Sequence, residues 1–345
     1  MGTTAAAGNP ILRVEDLKVH FPIKGGFFSK VKGYVRAVDG VSFELYPGET
    51  LALVGESGCG KSTTARAILR LIPHMKGKVW FQEEDLGALD PARLKEKRKD
   101  IQMIFQDPYA SLDPRRTVGS IIGEGLSIHR ISTGRERLER IQELMGLVGL
   151  RPECINRFPH QFSGGQRQRI GIARALALDP KLIICDEPLS ALDVSIQAQI
   201  LNLLECLKAK LGVSYLFISH DLAVVKYISD RVAVMYLGEI VEFAPTSELF
   251  GEPLHPYTTG LLASVPVPDP ESGRIRRIIQ GDIPSPASPP PGCKFHTRCS
   301  LAEAVCRETE PAMAEYKPGH FFKCHFRPRG GDGLATVPNA EGQAI

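Results

Sequence analysis

"LALVGESGCGKSTTARAILRLI" spans residues 51–72 and decides the fold, because it joins an apolar run to a helical pattern through a glycine-rich turn. The turn has the spacing Gly-x-x-x-x-Gly-Lys-Ser from Gly55 to Ser62. Glycines let the backbone curl until its N–H groups surround a phosphate, and the N-terminus of the next helix adds partial positive charge. A glycine-rich turn without a ligand is the alternative, but strand, turn and helix in this order favour a phosphate-binding loop.

Two side chains of this loop suit a nucleotide. Lys61 supplies a full positive charge to the β- and γ-phosphates, and the hydroxyl of Ser62 can bind Mg²⁺. Any small residue would serve at Cys59, so we assign it no redox role. We expect the nucleotide to be bound by the whole loop, that is by Gly55, Glu56, Ser57, Gly58, Cys59, Gly60, Lys61, Ser62 and Thr63.

The composition is that of a globular protein. Of 345 residues, 43% are hydrophobic and 23% are charged, and a net charge of +3 is too weak to indicate nucleic-acid binding. No apolar run reaches the roughly 18–20 residues that span a bilayer. The start MGTTAAAG has neither the basic and apolar regions of a signal peptide nor the myristoylation pattern, because residue 6 is Ala. We therefore expect a cytoplasmic protein, in which persistent disulfides are rare.

Strand-like and helix-like runs alternate along the chain, which predicts an α/β domain with a parallel sheet. Short β-type runs occupy 11–21 and 36–54, and we expect the Gly/Lys-rich stretch at 22–34 to be a hairpin loop. Helical periodicity dominates about 89–179. Strand-like runs return at 181–186, 214–219 and 231–243, with a helical pattern at 195–212.

Changes in composition mark the domain boundaries. Eight prolines fall within 264–291, which excludes a regular helix or a central strand there. We expect a flexible tail over 1–9, a nucleotide-binding domain over 10–260 with a helical subdomain at about 98–175, a proline-rich linker over 261–291, a four-cysteine extension over 292–328 and a disordered tail over 329–345.

The run KLIICDEP, residues 181–188, predicts a second part of the nucleotide site. It places Asp186 at the carboxyl end of a buried parallel strand, where ligands bind in such sheets. Asp186 can hold Mg²⁺ through a water molecule, and Glu187 is placed to polarise the water that attacks the γ-phosphate. Two carboxylates at the end of a buried strand would be costly in a purely structural role.

The run FSGGQRQRIGIARALALDP, residues 162–180, begins with Ser163, two glycines and Gln166 and then becomes helical. Ser163 and Gln166 have the spacing of a capping box, so one interpretation is a well-capped helix. The open N-terminus of such a helix is also an anion site. The run resembles the signature motif of ABC-type ATPases, which implies that ATP is contacted by Ser163, Gly164, Gly165 and Gln166.

Three further motifs of that family stand in the expected order. Gln106 in MIFQDPYASLDP resembles the Q-loop residue, SALD at 190–193 resembles the D-loop, and His220 in LFISHDLAVV resembles the switch histidine. A lone His after a strand is usually structural, so order and spacing carry this interpretation. The resemblance implies Glu187, His220 and Gln106 as catalytic residues, Asp193 as an ATP-binding residue, Tyr34 as the residue that stacks on adenine (with Phe28 as an alternative), and Ser62, Gln106 and Asp186 as Mg²⁺ ligands.

The resemblance also implies a fold and a mechanism. The fold would be an α/β P-loop ABC ATPase domain with a RecA-like parallel core, an antiparallel β subdomain and a helical signature subdomain, followed by a C-terminal cysteine-containing extension. Two such domains would meet head to tail, with each ATP between the loop of one and the signature motif of the other. A second ABC ATPase subunit, forming a heterodimer, is therefore an expected partner.

Longer stretches resemble the ATP-binding subunits of bacterial dipeptide, oligopeptide and nickel importers, and the F-type subunit more than the D-type. The similarity covers about residues 11–327. It implies two transmembrane permease subunits that contact residues 106–116, an extracytoplasmic solute-binding protein, no nucleic acid, and a peripheral location on the cytoplasmic face of the inner membrane. The stretches are RAVDGVSFELYPGETLALVGESGCGKST, IQMIFQDPYASLDPR and PLHPYTTGLLASVPVPDP.

Two other functions stay open as alternatives. The first is a soluble ABC ATPase in nucleic-acid or ribosome metabolism. Translation-type members carry two cassettes in one chain and repair-type members insert a long coiled coil, whereas this chain has one uninterrupted cassette. The second is a P-loop kinase, which the signature and switch motifs disfavour.

Four of the eight cysteines cluster near the C-terminus, at Cys293, Cys299, Cys306 and Cys324. Zinc modules usually have paired C-x₂₋₄-C spacing, which is absent here, whereas iron–sulfur clusters take four thiolates at more varied spacing. The segment resembles the C-terminal extension of peptide-importer ATPases, some of which carry a [4Fe–4S] cluster. The resemblance favours that cluster, with zinc, disulfides or free thiols as alternatives. We expect buried thiols at Cys154, Cys185 and Cys206.

Overall fold

The structure is a computed structural model that describes residues 8–25, 30–73, 76–107, 109–264, 279–328 and 334–336. Most of the expected tails at 1–9 and 329–345, and the middle of the expected linker, therefore lie outside the described residues. The described residues form two compact units. The first unit comprises 8–13, 44–50 and 80–218, and the second comprises 14–43, 51–79 and the described residues from 219 onward.

The described residues form fourteen strands along the chain. They are β1 (Leu12–Gly25), β2 (Lys30–Leu45), β3 (Thr50–Val54), β4 (Lys76–Phe81), β5 (Glu84–Asp85), β6 (Ile101–Ile104), β7 (Leu182–Asp186), β8 (Ser214–Ser219), β9 (Arg231–Tyr236), β10 (Glu239–Pro245), β11 (Ala314–Lys317), β12 (His320–Phe322), β13 (Phe326–Pro328) and β14 (Leu334–Thr336). Strands β13 and β14 pair with each other in an antiparallel ladder.

The helices follow the same order. They are α1 (Lys61–Ile68), α2 (Pro91–Asp100), α3 (Val118–Ile122), α4 (Glu124–Ile128), α5 (Gly134–Leu147), α6 (Gly164–Leu176), α7 (Val194–Leu211), α8 (Leu222–Ile228), α9 (Thr246–Gly251), α10 (Pro256–Ala263) and α11 (Ala304–Glu308), with short 3₁₀ turns at Pro152–Asn156, Pro159–Gln161 and His296–Arg298. No helix of the described ranges is long and apolar enough to cross a membrane.

A parallel sheet with the order β8–β7–β6 forms the centre of the first unit. All five residues of β7 are buried, as expected of an apolar run in a parallel sheet. Helix α7 connects β7 to β8 and is followed by Gly212, whose φ of 67° lets the chain leave the helix. This order confirms the predicted strand–helix–strand pattern and places Asp186 at the carboxyl end of β7.

The helical part of the first unit packs α3 and α5 against α6. Helix α5 contributes the buried side chains Ile141, Leu144 and Met145, which recur at helical spacing on one face. The sequence pattern missed β6, because four residues directly after α2 are too few to break a helical periodicity. Parallel pairing with β7 makes this run a strand.

Strand β9 lies at the centre of a sheet in the second unit. It pairs in parallel with β3 and antiparallel with β10, and the β9–β10 turn has positive φ at Leu237 (42°) and Gly238 (83°). Positive φ at both central residues is the geometry of the tight two-residue hairpin. Strand β12 then pairs with β10, and β11 pairs with β12. The segment between Cys306 and Cys324 is thereby joined to the same sheet as β3.

A second sheet of this unit has the order β2–β1–β4. The expectation of a loop over 22–34 is wrong for most of that stretch, because residues 22–25 continue β1 and residues 30–34 continue β2. Strand pairing outweighs the low β propensity of Gly and Lys here.

Candidate nucleotide site and cysteine cavity

Two glycines of the loop after β3 occupy positions that no other residue could fill. Gly55 has a φ of 150°, and a Cβ there would lie 2.2 Å from the carbonyl oxygen of Met235. Gly60 has a φ of 112°, and its Cβ would lie 2.1 Å from the carbonyl oxygen of Ala37. The loop is therefore pressed against neighbouring backbone, and only glycine allows this approach. Helix α1 begins at Lys61, directly after the loop.

The lysine of the loop is folded over the loop itself. Lys61 is buried, and its Nζ donates hydrogen bonds to the carbonyl oxygens of Gly55 (2.7 Å) and Glu56 (3.0 Å). The ammonium group thus fixes the loop's curvature and holds a positive charge inside it. Burial raises the pKa of the Cys59 thiol, so this thiol stays protonated, which agrees with a residue that has no redox role.

The first unit brings two of the expected catalytic residues together. Nε2 of Gln106 donates a hydrogen bond to Oε2 of Glu187 at 2.9 Å. Glu187 directly follows β7 with a φ of 45°, and its N–H donates to the carbonyl oxygen of Ile218 at 3.0 Å. Asp186, one residue earlier, is 1% exposed at the end of the strand. Two adjacent carboxylates thus end a buried strand in different environments.

The SGGQ run begins helix α6 with the expected capping box. Oγ of Ser163 accepts the N–H of Gln166, and Oε1 of Gln166 accepts the N–H of Ser163 at 3.0 Å. A Cβ at Gly165 would lie 2.5 Å from Cγ2 of Ile196, so this glycine lets α6 pack closely against α7. Asp193 stands at the N-cap position of α7. The structural interpretation of the capping box is confirmed, and it leaves the helix N-terminus available to an anion.

Exposed aromatic side chains flank Gln106 in the sequence, and half-buried arginines of α6 pack on them. Tyr109 is 56% exposed, and the guanidinium of Arg167 lies 4.1 Å from the centre of its ring. Arg174 lies near the ring of Phe105 and donates a hydrogen bond to the carbonyl oxygen of Ser111 at 2.6 Å. The segment expected to meet a permease thus presents exposed aromatic rings next to half-buried arginines.

The remaining site residues are placed as follows. Tyr34 lies on β2 and is 43% exposed, as a residue that stacks on a ligand must be, whereas Phe28 lies outside the described residues. His220 is exposed between the end of β8 and Asp221, the N-cap of α8. The loop, Tyr34 and His220 belong to the second unit, whereas Gln106, Asp186, Glu187, the SGGQ run and Asp193 belong to the first.

The four C-terminal cysteines line one cavity, which Phe295 and His255 also line. Burial, with a smaller contribution from the neighbouring thiols of the set, raises the pKa of Cys293 to about 11 and that of Cys324 to about 12. Four thiols line this cavity, and four thiolates are also the ligands that iron–sulfur clusters take. As the side chains stand, no group of three or more His, Cys, Asp or Glu in the described ranges is arranged around a single metal ion.

The other cysteines depart in part from expectation. Cys185 is buried on β7, and burial raises its pKa. Cys206 is exposed, so the expectation of a buried thiol there is wrong, because the face of α7 that carries it points to solvent. Cys154 is half-buried.

Sequence analysis missed two residues that bind the loop from a distance. The hydroxyl of Tyr257 accepts the N–H of Glu56, and the guanidinium of Arg298 binds its carboxylate. Neither residue belongs to a recognisable motif, and the sequence offered no signal that could have found them.

Comparison with known proteins gives matches over most of the chain. The family model described as "ABC transporter" matches residues 38–190, and the model "Oligopeptide/dipeptide transporter, C-terminal region" matches residues 241–306. The oligopeptide transport ATP-binding protein AppF of Bacillus subtilis is 54% identical over 93% of this chain and 99% of its own length. The corresponding protein OppF of Escherichia coli is 55% identical over 88% of this chain and 92% of its own.

Solved structures of ATP-binding cassettes share the fold. The cassette MJ0796, solved as a dimer in a post-hydrolysis state with ADP and Pi, matches with a TM-score of 0.60 and 28% identity, over 68% of this chain and 98% of that chain. The protein cbiO1 of Clostridium perfringens, part of the transporter complex cbiONQ, matches with a TM-score of 0.60 and 25% identity, over 71% of this chain and 92% of that chain.

Proposed function

This chain belongs to the ATP-binding subunits of oligopeptide and dipeptide ABC transporters, and we propose that it hydrolyses ATP to drive the import of peptides through membrane-embedded partners. The names of its F-type relatives agree with the F-type resemblance predicted from the sequence. The observation that carries the proposal is that similarity extends over both the nucleotide-binding region and the C-terminal region, and includes nearly the full length of AppF. ATP hydrolysis is the activity of this family, and peptide is the cargo in the names of these relatives.

The residues around the loop suit the binding of ATP. The loop from Gly55 to Thr63 offers backbone N–H groups and the charge of Lys61 to the phosphates. Tyr34 offers an exposed ring to the adenine. The capped N-terminus of α6, with Ser163 to Gln166, and Asp193 at the start of α7 would contact a nucleotide held by a second domain. That arrangement rests on the head-to-tail dimer of the family.

The Mg²⁺ ion and the attacking water use overlapping sets of residues in this scheme, with Gln106 in both. By resemblance to the family, Ser62, Gln106 and Asp186 would hold the ion, since their side-chain oxygens are donors of the kind that Mg²⁺ prefers. When bound, the ion neutralises the charge that develops on the phosphates. Glu187 accepts a proton from the water that attacks the γ-phosphate, and the amide of Gln106 orients this carboxylate through the 2.9 Å hydrogen bond. His220 contributes a second polar group near the γ-phosphate.

Its partners follow from the transport role. Two permease subunits would bind the exposed segment around Tyr109, and a solute-binding protein would join on the other side of the membrane. The chain would lie peripherally on the cytoplasmic face of the inner membrane and pair with a second, different ATPase subunit. Nucleic acid has no part in this scheme.

Co-purification tests the proposal against its alternative. The full chain, expressed in its native host with an affinity tag and extracted in mild detergent, should retain two multispanning membrane proteins and a second ABC ATPase. Arg115→Glu, at a 93% exposed side chain within the proposed contact segment, should weaken retention, whereas Arg135→Glu on α5 should not. Recovery of a homodimer bound to nucleic acid, without membrane proteins, would support the soluble ATPase and refute the transport role.

The four-cysteine cavity is proposed to hold a [4Fe–4S] cluster. Cys293, Cys299, Cys306 and Cys324 supply four thiols around one cavity, which is the donor chemistry that such a cluster takes. Binding of iron would require these thiols to lose their protons, and the raised pKa values of Cys293, Cys299 and Cys324 oppose that loss. The role of this group would be structural or regulatory, because ATP chemistry uses other residues.

A further inference from the structure

Arg298, next to Cys299, forms an ion pair with the phosphate-binding loop of the same unit. Its Nη1 and Nη2 donate to Oε2 and Oε1 of Glu56 at 2.6 and 3.0 Å. Glu56 is the second residue of the loop. The two parallel bonds form a bidentate pair, which is shorter, stronger and more restrictive in direction than a single contact. The side chain of Arg298 is 5% exposed and that of Glu56 is 26% exposed, so water screens this pair less than a surface pair.

The guanidinium of Arg298 is itself held in place. Its Nε donates to the carbonyl oxygen of Gly281 at 3.1 Å, and its guanidinium carbon lies 5.9 Å from the centre of the Tyr236 ring. Arg298 ends the 3₁₀ turn His296–Arg298, whose N–H groups bond back to Cys293 and Phe295. The turn between two of the four cysteines therefore sets the position from which Arg298 reaches the loop.

A second contact fixes the backbone of the same loop residue. The N–H of Glu56 donates to the hydroxyl of Tyr257 at 2.9 Å. The buried ring of Tyr257 packs on the ring of Phe295, with ring centres 5.3 Å apart, and Phe295 lines the cavity of the four cysteines. Both the side chain and the N–H of Glu56 are thus bound by groups that contact or belong to the four-cysteine segment.

These contacts act on the element that binds phosphate. The carbonyl oxygen of Glu56 also accepts from Nζ of Lys61, so moving Glu56 would move the lysine that serves the phosphates. A loop that is already in its binding geometry loses less freedom when the ligand arrives. Without its arginine, the carboxylate of Glu56 would also add negative charge close to a triphosphate, which lowers affinity by like-charge repulsion.

We propose that Arg298 is a positioning residue for ATP binding, which holds Glu56 of the phosphate-binding loop and offsets its negative charge. The proposal rests on ATP binding by this loop and adds to it that the four-cysteine segment tunes nucleotide affinity. The segment acts through the Arg298–Glu56 pair and through the contact of Phe295 with Tyr257. It does not touch the reacting atoms, so its effect falls on affinity and not on the chemical step.

Equilibrium binding of ATP to the purified full chain tests this role, together with KM and kcat for hydrolysis. Arg298→Ala should raise the dissociation constant and KM by about tenfold or more, with kcat at saturating ATP within about twofold of the parent. The dissociation constant and KM of Arg298→Lys should lie between those of the parent and those of Arg298→Ala, since lysine keeps the charge and loses the bidentate geometry. Arg307→Ala, at an exposed arginine of the same segment, is the matched control and should leave both constants unchanged.

The double variant separates charge from simple loss of packing. Glu56→Gln added to Arg298→Ala removes the unpaired carboxylate, so it should recover part of the lost affinity, a non-additive effect that damage to the fold would not produce. If Arg298→Ala does not fold, two milder variants test the same ion pair with nearly unchanged packing. Glu56→Gln removes the negative charge of the pair, and Arg298→Lys keeps the positive charge without the bidentate geometry.

The results also distinguish this proposal from the proposed function. Affinity within about twofold of the parent in both Arg298 variants, while the parent binds and hydrolyses ATP, overturns the positioning role and leaves the ATPase intact. A fall in kcat with unchanged KM overturns it as well. A parent chain that binds no ATP overturns both proposals.

Discussion

At the scale of single residues, Glu187 shows most directly how local backbone geometry serves the chemistry. Its φ of 45° is uncommon for a residue other than glycine. The hydrogen bond from its N–H to Ile218 and the bond from Gln106 to its side chain hold this conformation. Strain held in this way at a strand end is typical of functional sites. The geometry therefore supports Glu187, and not Asp186, as the proton acceptor.

Glu187→Gln is the first test of that assignment. The amide cannot accept a proton from water, so we expect ATP hydrolysis to fall by at least about 100-fold while ATP binding is retained. Steady-state hydrolysis and retention of radiolabelled ATP measure the two effects. Glu143→Gln, at an exposed carboxylate of α5, is the control that should behave like the parent. Parent-like turnover in the Glu187→Gln variant would contradict the assignment.

Sequence motifs predict residues of this kind because their roles depend on neighbours a few positions away. The spacing from Gly55 to Ser62 determines a loop with a small set of conformations, and so it predicts where Lys61 lies. The pair of Arg298 and Glu56 joins residues 242 positions apart. No local pattern encodes such a contact, because it depends on how the C-terminal segment packs onto β9 and β10.

At the scale of elements, Glu242 of β10 joins three parts of the second unit. Its carboxylate is fully buried and accepts the N–H groups of Leu254 and His255 at 2.8 and 2.9 Å. Nε2 of His320 on β12 bonds to the same group at 2.8 Å. Strand β10, the start of α10 and strand β12 are therefore tied by one side chain. A buried carboxylate needs such partners, because burial without them is costly.

The neighbouring His255 should make the stability of this unit depend on pH. It is 1% exposed, and its Nδ1 accepts the N–H of Tyr257 at 3.1 Å. Burial lowers the pKa of His255 to about 4. The nearby carboxylate of Glu242 opposes this by raising the pKa, and the charge of Lys323 lowers it slightly. In the unfolded chain His255 binds a proton near pH 6.5, whereas in the folded chain it does so only near pH 4. The folded state is therefore progressively destabilised as the pH falls from 6.5 towards 4.

Chemical unfolding at pH 7 and pH 5 measures that loss. Between these values the parent chain should lose about 2 kcal/mol of unfolding free energy through His255. Gln at position 255 does not titrate. The His255→Gln variant should be less stable than the parent at pH 7, but it should lose about 2 kcal/mol less unfolding free energy than the parent between pH 7 and pH 5. Equal pH dependence of the parent and the variant would show that His255 is not the titrating group. His160→Gln, at an exposed histidine of the first unit, is the control.

Sequence periodicity predicted the long regular elements well. It failed for segments that form strands only because neighbouring strands pair with them. Helix α7 and strands β7 and β8 lie within one residue of the predicted runs. Strand β6 was missed because four residues are too few to interrupt a helical periodicity, and the ends of β1 and β2 were missed because they are rich in Gly and Lys, which have low β propensity. These segments are strands because neighbouring strands bond to them, which is a property of the tertiary structure.

At the scale of the whole molecule, the four-cysteine segment is part of the second unit and not a separate module. Strands β11 and β12 extend the sheet that contains β9, β10 and β3. The segment lies in the unit that carries the phosphate-binding loop, and Lys294 of the segment pairs with Asp39 at 3.0 Å. Whatever the cysteines bind is thus connected by packed residues to the loop. The sequence predicted the segment, but its attachment could only be seen in the structure.

Iron content of the full chain tests what the cysteines hold. Anaerobic purification should yield a coloured protein with about four iron atoms and four sulfides per chain, because four thiols line one cavity. Cys324→Ser should lose most of the iron, whereas Cys206→Ser, at an exposed thiol of α7, should keep it. Phe295 lines the cavity and also packs on Tyr257, which binds the phosphate-binding loop. Loss of iron should therefore weaken ATP binding in Cys324→Ser, whereas Cys206→Ser should bind ATP like the parent. A colourless chain without iron would contradict the cluster, and zinc at one atom per chain would favour the zinc alternative.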